Sequence, residues 1–114
     1  MKKILICFLV IYSICYSIQY SDTITNFSIV KVRDGDTFVI NIPNIPDVFG
    51  NNIAVRIRGI DTPELNSRDE KTKNKAIQAK NELEKLLKDN KKIILYNIGR
   101  DKYFRLLASV KVDN

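Results

Sequence analysis

Phe27-Ser28-Ile29-Val30-Lys31-Val32-Arg33-Asp34-Gly35-Asp36-Thr37-Phe38-Val39-Ile40 is the stretch on which the fold turns. Its two ends are rich in β-branched and aromatic residues, and Asp34-Gly35-Asp36 carries the signature of a tight turn. The segment therefore predicts an antiparallel hairpin. Beyond it, Pro43, Pro46, Gly50, Asn51 and Asn52 break the pattern as a loop. Ile53 to Ile60 predicts a third strand, stopped by Pro63, with Arg56 and Arg58 on one face and Val55 and Ile57 on the other. From Glu70 to Lys88 the residues Ala76, Ala79, Leu83, Leu86 and Leu87 recur at three- and four-residue steps, which predicts a helix with one apolar stripe, ended by Asn90. Ile93 to Tyr96 reads as a fourth strand, Gly99 to Lys102 as a turn and Arg105 to Val112 as a fifth strand. Five short strands with one helix after the third make a mainly β, α+β domain, and the order suits a small Greek-key barrel.

The 114 residues leave room for one small domain, and the first segment is read as a leader rather than as part of it. Lys2 and Lys3 precede the apolar run Ile4 to Ile14, and the small residues Ser13, Cys15 and Ser17 follow. Residues 1–17 thus predict a signal peptide, the domain runs over 22–114, and the protein is expected to be secreted or periplasmic. The run is short for a membrane span, which needs about 20 apolar residues. A core strand is its alternative reading. Both cysteines, Cys7 and Cys15, lie in the leader, so the mature chain has neither a disulfide nor a thiolate zinc site. The chain has no histidine. Ser-His and Cys-His nucleophile pairs are excluded, and any general base is a carboxylate, Lys or Tyr.

Two acidic clusters flank an arginine-bearing strand: Asp34-Gly35-Asp36-Thr37, then Arg56-Ile57-Arg58-Gly59-Ile60, then Asp61-Thr62-Pro63-Glu64. Asp101-Lys102-Tyr103-Phe104-Arg105 follows downstream. Carboxylates that hold a hard cation, a further carboxylate that takes a proton from water and guanidiniums that grip a phosphate are the means of cutting a phosphodiester. An oxygen-only donor set points to Ca²⁺ or Mg²⁺. Asp34 is read as shaping the turn, and strand position alone does not choose between Arg56 and Arg58. The net charge of +6 is uneven: residues 22–64 hold four Lys/Arg against six Asp/Glu, and residues 65–111 hold thirteen against six. A polyanion would be drawn to the basic half and a cation to the carboxylates.

Val32-Arg33-Asp34-Gly35-Asp36-Thr37, Val55-Arg56 through Glu64, and Asp101 through Ala108, in that order, resemble the staphylococcal (micrococcal) nuclease, or thermonuclease, family. The resemblance runs from about Phe27 to the last residue and implies a five-stranded barrel of the OB type. It implies Ca²⁺ held by Asp36, Asp61 and the carbonyl of Thr62, and a Glu64 that activates or orients the attacking water. It selects Arg56, five residues before Asp61, and Arg105, two after Tyr103, as the catalytic arginines, leaving Arg58 on the surface or along the phosphate path. Lys102 and Tyr103 match positions that contact substrate phosphate, with a plain core role the alternative for Tyr103. The implied activity is a secreted, Ca²⁺-dependent endonuclease acting on DNA and RNA with little sequence specificity; the alternative is a truncated, inactive or non-catalytic nucleic-acid-binding module. The sequence departs from the family in Phe104, where Gly is usual, and in stopping where the family domain continues. The second departure implies that the C-terminal helices are missing and that the mature chain is loosely folded until ligand binds.

Overall fold

The computed structural model describes residues 23–89 and 92–113, so the predicted leader and the helix stop at Asn90 lie outside the described residues. The hairpin forms as β1 (Ser28–Asp34) and β2 (Thr37–Asn41), antiparallel, with Asp34 opposite Thr37 across the Gly35-Asp36 turn. A four-residue helix, α1 (Asp47–Gly50), interrupts the segment read as loop, and β3 (Ile53–Ile57) pairs antiparallel with β2. The 20-residue α2 (Glu70–Asp89) leads to β4 (Lys92–Arg100), which turns back antiparallel into β5 (Leu106–Asp113). β5 lies parallel to β3, the pairing that a long crossover through α2 and β4 permits.

The strand order is β1-β2-β3-β5-β4, an α+β arrangement consistent with the OB type. The sheet is not closed into the barrel that the sequence predicts, because β1 and β4 do not form a ladder. Among the described residues its edges meet at one pair instead: Ile24, ahead of β1, donates its N–H to the Leu95 carbonyl at 2.9 Å and accepts the Leu95 N–H at 3.0 Å. β3 is shorter than the sequence predicts. It ends at Ile57 because Gly59, at a φ of 75°, turns the chain before Pro63 is reached. β4 is longer and carries an irregularity between Tyr96 and Gly99, where Asn97 takes a φ of 52°.

The period of two along β3 sends Ile53, Val55 and Ile57 into the core, where they meet Phe38, Ile40, Leu95, Leu106 and Ala108. Leu83 and Leu87 of α2 close that core, and Ala76 of the same stripe is fully buried. Leu86, also on the stripe, is 46 % exposed. The stripe is therefore narrower than its spacing suggests. Truncation separates its two sides: in urea unfolding, Leu83→Ala is expected to cost about 2–5 kcal/mol and Leu86→Ala less than about 1.5 kcal/mol.

Candidate active site

Gly35 lets the β1–β2 turn sit close against two other elements. A Cβ there would fall 2.7 Å from the Ala79 Cβ on α2 and 2.9 Å from the Thr62 Cγ2. Any side chain would push the turn away from the Asp61-Thr62 segment. Asp34 shapes the same turn by accepting the Asp36 N–H at 3.1 Å.

Asp36 is buried at the centre of the contacts that follow. Its Oδ1 accepts the Thr37 hydroxyl at 2.9 Å. Its Oδ2 pairs with Nη1 of Arg56 and accepts both the N–H and the hydroxyl of Thr62, at 3.3 and 3.2 Å. The other end of Arg56, Nη2, lies 3.6 Å from Oδ1 of Asp61, whose side chain is 94 % exposed. Burial pushes Asp36 up, but hydrogen bonds from Asp34, Thr37, Arg56 and Thr62 outweigh it and draw the carboxyl down to about 2. Burial, and then Asp36, push Asp34 the other way. Burial works against the charge of Arg56, and its two aspartates more than compensate.

Arg56 sits opposite Leu107 in the parallel ladder. Arg105, two residues earlier, immediately precedes β5. It is held by Asp101, whose Oδ2 accepts the Arg105 Nε at 2.6 Å. The Oδ1 of Asp101 accepts the N–H groups of Tyr103 and Arg105, both at 2.9 Å. A Phe104 N–H to Asp101 carbonyl bond of 3.3 Å closes the turn. Phe104 itself adopts a φ of 66°, a left-handed conformation that costs a Cβ-bearing residue on the order of 1 kcal/mol. Phe104 falls between the predicted turn, Gly99 to Lys102, and the predicted fifth strand; it is the last residue of the turn before Arg105, the place where a glycine would be relaxed. Lys102 and Tyr103 lie on this turn, both exposed. Tyr103, 67 % exposed, is not a core residue.

The structure thus gathers Asp36, Arg56, Asp61 and Thr62, and places Lys102, Tyr103 and Arg105 on the turn that leads into β5, the strand paired with β3. Glu64 is exposed in the loop after Pro63, and its carboxylate has no hydrogen-bond or ion-pair partner among the described residues. Arg58 is set apart from Arg56: its Nε donates to the Asn97 carbonyl at 2.7 Å and its guanidinium packs on Gly99. Arg56, Asp61 and Leu107 border an open cleft of about 430 Å³. Sequence reasoning missed the hydroxyls of Thr37 and Thr62 and the role of Asp101. The signal for Asp101 was present, an Asp two residues before the turn's Tyr, where it caps backbone N–H groups.

A family model described as staphylococcal nuclease homologue matches residues 54–114, slightly more than half of the chain. The chain belongs to the staphylococcal nuclease family. The match covers Arg56, Asp61, Thr62, Glu64 and the Asp101–Arg105 turn, while Asp36 joins this cluster by contact from the hairpin outside it. No curated protein matches the chain.

The acid stability of this family member follows from Asp36. Its folded value, about 2, lies below the ordinary value of an aspartate, so its contribution is present above pH 4 and lost as pH falls towards 2. Asp34 works in the opposite sense, so the comparison must be with a variant. In metal-free urea titrations Asp36→Asn is expected to be less stable by about 2 kcal/mol at pH 7, with the difference vanishing near pH 2.

Proposed function

We propose that the chain is a Ca²⁺-dependent endonuclease, exported through the leader at residues 1–17, that hydrolyses phosphodiester bonds of DNA and RNA with little sequence specificity. One observation carries the reading: two guanidiniums, Arg56 on β3 and Arg105 at the entry to the paired strand β5, are each oriented by an aspartate. Planar forks held in this way suit the non-bridging oxygens of a phosphodiester, whose charge grows in the transition state.

Among the described residues no three acidic, His or Cys side chains cluster as a metal cage. Two carboxylates against one guanidinium nevertheless leave the Asp36, Arg56 and Asp61 group net negative, and all its acceptors are oxygens. A hard cation fits that donor chemistry, with Asp36, Asp61 and Thr62 holding it and water or substrate phosphate completing the shell. When bound, Ca²⁺ supplies positive charge that offsets the charge developing on the phosphoryl group.

The remaining work falls to side chains of the chain. Asp36 fixes the plane of Arg56, and Asp101 fixes Arg105. Both arginines bind phosphoryl oxygens. Glu64, exposed and without a side-chain partner among the described residues, takes the proton of the water that attacks phosphorus in line. Lys102 and the Tyr103 hydroxyl hold phosphate along the strand, and the excess of basic residues after position 65 draws the polyanion in.

Cleavage of a labelled oligonucleotide by the mature protein is expected with Ca²⁺ and to vanish with chelator. Glu64→Gln, Arg56→Ala and Arg105→Ala should each lower the rate by about 10² or more, and Arg58→Ala far less. Binding without cleavage in Ca²⁺ would leave only the non-catalytic alternative.

A further inference from the structure

Beside the candidate site the chain holds an aromatic ring out in water on a strained backbone. Phe104 has a φ of 66° and is 47 % exposed. Its ring is outside the hydrophobic core, and the Arg100 guanidinium lies 4.1 Å from the ring centroid. Backbone preference disfavours Phe at this position, and core burial does not offset the strain. The backbone that carries the ring is tied down, because the Phe104 N–H and the turn around it bond to Asp101. The surroundings are cationic. Lys102 and Arg105 stand 5.1 and 5.6 Å from the Tyr103 ring, and Tyr103 is itself exposed.

An exposed ring backed by a guanidinium, set among cations that can follow a sugar-phosphate chain, suits an unpaired nucleobase: the base stacks on the ring while the cations take its phosphates. Bases inside a duplex are already stacked and offer only their edges. We propose that Phe104, backed by Arg100, is a stacking platform for an unpaired base. The proposal rests on the nuclease reading for the substrate class, but the platform binds whether or not the chain cuts.

The test uses fluorescence anisotropy of the mature protein with a single-stranded DNA oligonucleotide, the corresponding duplex, and an abasic sugar-phosphate oligomer of the same length. Phe104→Gly relaxes the left-handed residue, so its unfolding temperature should not fall, and loss of binding cannot be put down to misfolding. Phe104→Gly is expected to weaken single-strand binding by roughly 5-fold or more, to change duplex and abasic binding less than about 2-fold, and Phe104→Tyr to restore the single-strand value. Unchanged single-strand binding in Phe104→Gly, or an equal loss on the abasic oligomer, overturns the platform. If no variant or wild-type protein cleaves in Ca²⁺ while the single-strand effect persists, the nuclease reading fails and the platform stands.

Discussion

The Asp36 carboxylate is the group on which the rest of the site depends. A buried anion is tolerated only when its oxygens are matched by donors, and here the donors come from separate segments: Thr37 from β2, Arg56 from β3 and Thr62 from the loop beyond. Each is thereby fixed relative to the others. Gly35 permits the arrangement by letting the turn approach α2 and Thr62 without a clash. The hairpin, β3 and the Asp61–Glu64 loop are held around one charge.

Asp101 repeats the device on a smaller scale. It is less buried than Asp36, yet it accepts two backbone N–H groups and one guanidinium N–H, so the five-residue turn and Arg105 are set together. The two aspartates differ in setting. Asp36 shares its arginine with the exposed Asp61 in a net negative group, whereas the Asp101 turn carries Lys102 and Arg105 beside two exposed aromatic rings. One side of the site suits a cation and the other a nucleotide strand.

Much of this was legible in the sequence because it follows from period and turn chemistry. The hairpin, the long helix and the inward face of β3 rest on alternation and on three- and four-residue spacing, which packing reinforces. What was not legible depends on contacts between distant segments. The early end of β3 at Gly59, the extension of β4 through Asn97 and the edge-to-edge tie between Ile24 and Leu95 are settled by neighbouring chain, not by local preference. The two arginines of β3 looked equivalent by alternation. They separate because Arg56 faces two aspartates while Arg58, past the end of the strand, reaches across to the Asn97 carbonyl. The turn proved longer than predicted and takes in Phe104, since a left-handed turn residue is usually signalled by Gly or Asn and here the position carries neither.

A double-mutant cycle on the cleavage rate, with Asp36→Asn, Arg56→Ala and the two combined, assayed in Ca²⁺ where all three variants are shown to be folded, addresses the central claim most directly. If Asp36 and Arg56 act as one unit, the double variant loses no more than about 10-fold beyond the worse single variant. Losses that multiply independently, or an Asp36→Asn protein that cleaves at the wild-type rate, would contradict the account.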